Sequence, residues 1–344
     1  MAMLVMGKRQ SAGPTPPLGV IDSLGHGLQA VVTHLPLLIL PLLLDLFLWL
    51  GPQLSIAPLL SQALAFVRAN PEFASALNQQ LPDPDALPEL VAQVGESANL
   101  FGFLSTAPMG VPSMMAGRGG PLTPLGASLQ INVPGVLAVV IWGSSLTVIG
   151  MLLGSIYLHL IARAVQAPAE RADRSALAAK ITRSWLHLTL LAFLALGALA
   201  LYLVPLSVLT LVTTAVHPLL GGLVNSLGAF FAMYVVFTYV FIVQEVVLSG
   251  NQLRPALRKS SAIVRTNAQP AAGLLLIILV LNLGLGFVWG IPDASSWLLL
   301  LGISFHAFVN TALIAGTFYF YADRVRWQTE LQRIIAAQPP ATRS

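Results

Sequence analysis

The sequence predicts an all-α membrane protein with six transmembrane helices, and three observations support this prediction. The chain of 344 residues is 56% hydrophobic and 9% charged, with a mean hydropathy of +0.81, which is typical of membrane-embedded proteins. Six apolar stretches each reach the ~20 residues that a helix needs to cross a bilayer. These stretches do not alternate between apolar and polar residues, as the strands of a membrane barrel do. They comprise about residues 28–50, 133–161, 185–206, 223–248, 271–291 and 297–321.

The positions of the positive charges predict the orientation. If the N-terminus lies in the cytoplasm, only Arg68 and Arg118 of the 17 Lys and Arg residues fall on the outer side. Because cytoplasmic loops are enriched in Lys and Arg, we expect both termini inside the cell and the long loop after the first span outside. The expected location is the cytoplasmic membrane of a bacterium or an archaeon.

Composition and prolines divide the chain into five regions. These are a disordered N-terminus, an amphipathic segment with the first span, a helical outer loop, a membrane domain of five further helices, and a cytoplasmic tail. Pro36 and Pro41 predict a kink in the first span. Short helices are expected in the outer loop at about 56–69, 72–80 and 87–103. In chain order, the five regions are residues 1–17, 18–50, 51–132, 133–322 and 323–344.

The last part of the outer loop, residues 107–134, is rich in Gly, Pro, Ser and Met. It carries more apolar residues than a freely solvated linker would. Either it packs as a cap on the helix ends near the outer leaflet, or it forms a Met-lined site for a hydrophobic ligand or partner. Met109, Met114 and Met115 are the candidate contacts in the second case.

Two connections on the cytoplasmic side share a design. Residues 175–183 and 255–265 each read as a short amphipathic helix with an Ala-Leu start and basic residues, followed by a membrane hairpin. The similarity indicates a weak internal repeat, as found in transporters and also in proteins that grew by duplication. Basic residues of the second connection are candidate contacts for lipid headgroups or a partner. They are Arg254, Arg258, Lys259 and Arg265.

A pattern of about 30 residues surrounds the second connection. Phe-Ile-Val-Gln-Glu-Val-Val-Leu at 241–248 is followed by Ala-Leu-Arg-Lys-Ser at 256–260 and Ile-Val-Arg-Thr-Asn at 263–267. This pattern resembles one in poorly characterised prokaryotic six-helix membrane proteins. It is also similar to the membrane domain attached to some glycerophosphodiester phosphodiesterases. The resemblance implies a six-helix domain without an assigned chemistry, and it does not extend to a phosphodiesterase catalytic domain.

Two carboxylates lie within the apolar spans, where ionisable groups are costly. Asp45 is near the outer end of the first span and Glu245 is near the inner end of the fourth, so we expect them not to pair with each other. Asp45 can reach the headgroups or cap the outer loop, and Glu245 can pair with Arg254, Arg258 or Lys259. A carboxylate that couples transport to protons or cations is the alternative for either residue.

A polar cluster is expected between the fifth and sixth spans. His306 and Asn310 are four residues apart and share a helix face, and Asn282 lies at a similar depth, roughly 13 Å from the outer helix ends. A short connection makes these helices neighbours, so we predict a hydrogen bond between Asn282 and His306. The cluster either strengthens helix packing or lines a path for a substrate or a proton relay.

Composition and spacing argue against several function classes. The chain has no cysteine, which excludes disulfides, thiolate metal sites and thiol nucleophiles. The six histidines are scattered, so neither a metal site nor a cofactor is expected. Ser304 and His306 do not face each other on a helix, which argues against a serine protease. Basic residues beside helix ends explain the pI of about 9.7, so nucleic acid is not an expected partner.

The lack of a catalytic motif predicts a non-enzymatic multi-pass protein. The first hypothesis is a scaffold or accessory subunit of a membrane complex, whose outer loop and basic inner face contact lipids or a membrane-protein partner. The alternative is a transporter or a lipid-handling protein that uses the polar site between spans 5 and 6. A transporter would require a continuous polar cavity near the middle of the membrane.

Overall fold

The computed structural model of the protein describes residues 16–71, 86–118, 120, 122–166, 174–250 and 252–337. In this part the chain is mostly helical, and its strands form only two short two-stranded sheets. Five helices are long and apolar enough to cross a membrane, and a bent helix pair near the N-terminus makes a sixth if it counts as one span. The predicted helical class is confirmed, and so is the presence of five to six helical segments that could each cross a membrane. The helix predicted at 72–80 and most of the predicted disordered N-terminus lie outside the described residues.

Helices and strands are numbered in chain order. The helices are α1 (Val20–Thr33), α2 (Ile39–Leu50), α3 (Ala57–Ala69), α4 (Leu87–Ser97), α5 (Val136–Val165), α6 (Arg174–Val216), α7 (Pro218–Thr238), α8 (Ile242–Ser249), α9 (Leu253–Thr266), α10 (Ala268–Trp289) and α11 (Leu299–Ala337). The strands are β1 (Gln53–Ser55), β2 (Leu122–Thr123), β3 (Gly126–Ala127) and β4 (Gln130–Asn132). Two 3₁₀ helices cover Leu35–Leu38 and Leu100–Leu104.

The N-terminal helices α1 and α2 meet at a sharp bend. His34 leaves the helical conformation, and Pro36 opens a 3₁₀ helix because it lacks the N–H that a continuing α-helix needs. The two axes differ by 96°, so the predicted break at Pro36 is confirmed. Pro41 lies in the first turn of α2, where a proline is tolerated.

Helix α1 packs antiparallel along the middle of α11. The Leu18 N–H donates to Asp323 Oδ2 (2.8 Å), and the Arg324 guanidinium donates to the Leu18 carbonyl oxygen (2.8 Å). Further along α1, Gly27 lies against the α11 backbone. Because α11 continues to Ala337, the first part of the predicted tail is helical.

The segment between α2 and α5 begins and ends with strands that pair with each other. β1 pairs in parallel with β4, with Ser55 opposite Asn132, and α3 packs against α4. The helices predicted at 56–69 and 87–103 are present, although the second ends at Ser97. Pairing of β1 with β4 thus brings the two ends of the segment together. The middle part of the segment extends into the helix bundle.

Residues 99–118, here called the inserted loop, extend past the ends of the helices into the interior of the bundle. Leu104 lies against Gly150 of α5 and Gly110 lies against Gly154, and neither α5 glycine has space for a side chain. Gly154 is ~27 Å from the first residue of α5 at 1.5 Å per residue. The inserted loop therefore lies deeper than the predicted cap. It packs against Gly150 and Gly154, here called the glycine stripe of α5.

Helices α6 and α7 form a long hairpin whose turn is His217 alone. The helix predicted at 175–183 is the first part of α6, and the residues between the predicted spans 185–206 and 223–248 are helical on both sides of the turn. The helix predicted at 175–183 is therefore confirmed, but it continues into the next span instead of ending before it. The helix also extends beyond the predicted span, since residues 207–216 contain no glycine or proline that would end it. Pro205 lies inside α6 without ending it.

Two short helices follow this hairpin. Gly250 ends α8 in the left-handed conformation, with φ of 63°. Helix α9 is separate and amphipathic, as predicted, and buries Ala256, Ser260, Ile263 and Val264. Because the first connection is part of α6 and the second is a separate helix, the two halves of the predicted repeat differ in form.

Substitution of Gly27 by alanine is expected to destabilise the protein. An added Cβ would lie 2.4 Å from both the Ala312 carbonyl oxygen and the Gly316 nitrogen, and overpacking of this kind costs about 1–3 kcal/mol. Gly25→Ala is the matched control, because, apart from its chain neighbours and the backbone of its own helix, no part of the described structure lies within 4 Å of its added Cβ and alanine favours a helix. Thermal unfolding in detergent should show a lower midpoint for Gly27→Ala only. Equal losses in both variants would contradict the packing of α1 on α11.

Candidate functional site

A cavity of about 530 Å³ opens on one flank of the bundle. Helices α5 to α11 all contribute to its wall, and the tip of the inserted loop adds Ala107, Pro108, Met109 and Pro112. Most of the wall is apolar. Representative residues are Leu158, Leu191, Val235, Leu275 and Leu313.

Four lining residues carry a side-chain amide or an aliphatic hydroxyl, namely Gln244, Asn282, Asn310 and Thr317, and Tyr239 adds a phenol. Gln244 is buried, and its Nε2 donates a hydrogen bond to Thr317 Oγ1 (2.9 Å). The Gln244 Oε1 atom has no hydrogen-bond partner among the described residues. The amides of Asn282 and Asn310 each donate to a carbonyl oxygen one turn earlier in their own helix, at 3.1 Å in both cases. The cavity thus combines an apolar wall with a small group of hydrogen-bonding side chains.

The predicted polar cluster is only partly assembled. Asn282 and Asn310 border one cavity, but the predicted bond between Asn282 and His306 is wrong, since Asn282 donates to Ile278 of its own helix. Asn282 lines the cavity whereas His306 does not, and the His306 Nδ1 atom has no hydrogen-bond partner among the described residues. His306 instead approaches α2, where its Nδ1 lies 3.9 Å from Asp45 Oδ2.

Asp45 is completely buried and holds the inserted loop. Its carboxylate accepts hydrogen bonds from the Ser113 hydroxyl and from the N–H groups of Met114 (3.3 Å) and Met115 (3.0 Å). The Ser113 oxygen in turn accepts from the N–H groups of Met115 (3.1 Å) and Ala116 (3.0 Å). Of the predicted roles for Asp45, these bonds support the one in which it caps the loop.

Glu245 joins three helices. Its carboxylate accepts a hydrogen bond from the Tyr321 hydroxyl of α11 (2.6 Å) and pairs with the Lys259 ammonium of α9 (2.8 Å). The prediction of a basic partner is confirmed for Lys259. Because Asp45 has a different set of partners, the expectation that the two carboxylates do not pair is also confirmed.

The three methionines of the outer-loop prediction occupy two environments. Met114 and Met115 are buried in the main apolar core, and Met109 lines the cavity. Only Met109 therefore lies where it can contact a ligand in the cavity.

The basic residues predicted as lipid or partner contacts lie on α9. Arg254, Arg258 and Arg265 are exposed. Lys259 is half-exposed along its side chain and is engaged by Glu245. The exposed face of α9, opposite its buried face, is thus positively charged.

Neither carboxylate site has the ligands of a metal centre. In the described ranges, no group of three or more His, Asp or Glu side chains comes together. The Asp45 oxygens accept bonds from the inserted loop, and Glu245 is neutralised by a lysine. The bonds of Asp45 thus attach the inserted loop, and Lys259 compensates the charge of Glu245.

Gln244 is the cavity residue that sequence reasoning does not single out. The available signal is a side-chain amide within an apolar run, one residue before Glu245. Adjacent positions on a helix point about 100° apart, so the two side chains face different neighbours. Only the packing of α8 decides that Gln244 faces a cavity and Glu245 an ion pair.

No family model, curated protein or solved structure matches this chain. The resemblance of residues 241–267 to six-helix membrane proteins therefore stays a prediction.

Replacement of Asp45 by alanine is expected to release the inserted loop. The Met114 N–H would lose its acceptor and the Met115 N–H would keep only the Ser113 oxygen. Because an unsatisfied buried donor costs about 1–3 kcal/mol, we expect a loss of about 1–3 kcal/mol. In the described part of the chain, the exposed side chain of Asp293 forms hydrogen bonds with Ser295 alone, and Asp293→Ala serves as the control with an unchanged midpoint. Hydrogen exchange should show faster exchange of the Met114 and Met115 amides in Asp45→Ala. Unchanged protection of both amides would refute the capping role.

Replacement of Lys259 by alanine is expected to loosen α9. Glu245 would remain buried with less compensation of its charge, which is costly. The Lys259 side chain is half-exposed and screened by solvent, so we expect a loss of about 1–2 kcal/mol rather than the full cost of a broken buried pair. Arg258→Ala is the control, because Arg258 is equally basic and is exposed next to it. Denaturant midpoints in detergent that fall equally for both variants would argue against this pair.

Proposed function

We propose that this protein is a multi-pass membrane protein that binds a lipid-like amphiphile in its lateral cavity. The single observation that carries the proposal is the cavity itself, with an apolar wall and few polar groups. Its volume of about 530 Å³ lies within the range of roughly 300–1,000 Å³ that small-molecule sites occupy. The proposal corresponds to the lipid-handling alternative from the sequence.

The nature of the wall favours an amphiphile over a polar solute. Gln244, Asn282, Asn310 and Thr317 supply the only side-chain amides and aliphatic hydroxyl among the described lining residues. A polar solute would need partners around its whole surface, because an unpaired polar group in an apolar site is costly. A long apolar chain with one small polar end matches this distribution of groups.

The position of the cavity also favours a lipid. Val236 and Tyr239 line it and are 68% and 38% exposed, respectively, so the cavity reaches the flank of the bundle. The surrounding helices α6, α7 and α10 are strongly apolar. In a bilayer this flank would face hydrocarbon, from which an amphiphile can enter sideways without passing through water.

The proposed placement in the membrane follows the distribution of charge. We propose that both termini and α9 lie in the cytoplasm and that α3, α4 and Arg118 lie on the outer side, as the excess of basic residues predicts. The contacts of Leu18 with Asp323 and of Thr266 with Gln328 bring α1, α9 and the second half of α11 to one end of the bundle. That common end is consistent with a single basic, cytoplasmic face.

A scaffold or accessory subunit is the second candidate. The α6–α7 hairpin exposes large apolar side chains along its length, such as Leu201 and Phe230. Its two helices are held to each other by close contacts, including a hydrogen bond from the Tyr202 hydroxyl to the Gly228 carbonyl oxygen (2.7 Å). Lipid chains or a membrane-protein partner would cover such a surface equally well, so this surface does not favour a scaffold over a lipid-binding protein. The cavity therefore remains the main support for the first proposal.

Ala195→Trp should reduce the amount of lipid that co-purifies with the protein. Ala195 lines the cavity, so a bulky apolar side chain there would occupy the volume without adding charge. After purification in mild detergent, mass spectrometry of extracted lipid should find about one amphiphile per chain in the unaltered protein and several-fold less in the variant.

Ala200→Trp provides the matched control for this experiment. Ala200 is an exposed residue of the same helix and does not line the cavity. Lipid should therefore remain bound in this variant. A lipid-free unaltered protein, or an equal loss of lipid in both variants, would count against the proposed function.

A further inference from the structure

We infer that the cavity selects an uncharged amphiphile whose polar end donates a hydrogen bond, such as a long-chain alcohol or a monoacylglycerol. This inference rests on the proposed function and adds the class of headgroup. The carrying observation is Gln244, which lines the cavity, is only 8% exposed, and has an unpartnered Oε1 among the described residues.

The orientation of the Gln244 amide follows from its neighbours. The Thr317 hydroxyl donates to the Ile314 carbonyl oxygen (2.7 Å), so its own oxygen is an acceptor for the Gln244 Nε2 group (2.9 Å). With the amide nitrogen bound in this way, the carbonyl oxygen is the atom without a partner. A buried acceptor that loses its water without gaining a donor costs about 1–3 kcal/mol, and a ligand hydroxyl would supply the missing donor.

The two asparagines present the same chemistry. Asn282 and Asn310 both commit an amide N–H to a carbonyl oxygen of their own helix. In the described part of the chain, neither side-chain oxygen receives a hydrogen bond. Three of the residues that line the cavity therefore have an amide oxygen available as an acceptor, which suits a headgroup with one or more hydroxyls.

The charge of the cavity wall excludes charged headgroups. None of the described lining residues is Asp, Glu, Lys, Arg or His. Glu245 follows Gln244 directly, but its carboxylate is engaged by Tyr321 and Lys259. A phosphate or carboxylate in the cavity would have no compensating cation, and an ammonium would have no compensating anion, so either would carry the full cost of desolvation.

Three probes with the same chain separate these possibilities: radiolabelled hexadecanol, hexadecyl methyl ether and hexadecyl phosphate. Hexadecanol can donate a hydrogen bond, the ether cannot, and the phosphate is charged. Binding to the purified full-length protein in detergent should be on the order of fivefold tighter for hexadecanol than for the ether, as one net hydrogen bond predicts. Hexadecyl phosphate should bind more weakly than hexadecanol.

The Gln244→Met variant tests the assignment to this side chain. Methionine has a similar length but no carbonyl oxygen, so the preference for hexadecanol over the ether should shrink toward equality. Gln252→Met is the matched control, because Gln252 is exposed and does not line the cavity; it should keep the preference. If Gln244→Met does not fold, the comparison of the three probes on the unaltered protein still decides the headgroup class.

The outcomes separate the two proposals. If none of the three probes binds, the proposed function fails. If hexadecanol and the ether bind equally, the cavity accepts an apolar chain and the inferred headgroup class is wrong. Tightest binding of hexadecyl phosphate would overturn the inference in favour of a charged lipid.

Discussion

A loop can enter the interior of a membrane bundle only where its backbone groups find partners, because hydrocarbon supplies none. The Asp45 carboxylate meets this need by accepting bonds from the Ser113 hydroxyl and from the N–H groups of Met114 and Met115. The glycine stripe of α5 provides the space for the loop at Gly150 and Gly154. The tip of this loop then forms part of the wall of the lateral cavity. The cavity therefore depends on a carboxylate that does not itself line it.

Helix α8 connects the cavity with the basic end of the bundle. Gln244 faces the cavity and bonds to Thr317, whereas the next residue, Glu245, binds Tyr321 and Lys259. Gln244 and Glu245 of α8 thus contact Thr317 and Tyr321 of α11, which are about one helical turn apart. The ion pair with Lys259 holds α9 in place, and α9 contributes Leu257 to the cavity wall. The position of the Gln244 oxygen is consequently set by a charge pair outside the cavity as well as by its own hydrogen bond.

Predictions from the sequence succeeded where the cause is local. The break at Pro36 follows from a missing N–H, and the amphipathic helix after residue 252 follows from its periodic pattern. A basic partner for Glu245 could be expected because the nearby connection is rich in Lys and Arg. The predicted bond between Asn282 and His306 failed, since equal depth on neighbouring helices does not determine which faces meet. The turn at His217 was missed because helix length in α6 exceeds what bilayer thickness requires.

The sequence by itself determined that this is a helical protein with several spans long and apolar enough to cross a membrane, and with basic residues concentrated between them in a few connections, because hydropathy and charge are properties of composition along the chain. It also determined which spans carry carboxylates and amides. Only the tertiary structure decided that the inserted loop lies inside the bundle, that Asp45 holds it, and that Gln244, Asn282 and Asn310 surround one cavity. These features depend on contacts between residues far apart in the chain, and such contacts follow from the shapes of packed surfaces rather than from any local pattern.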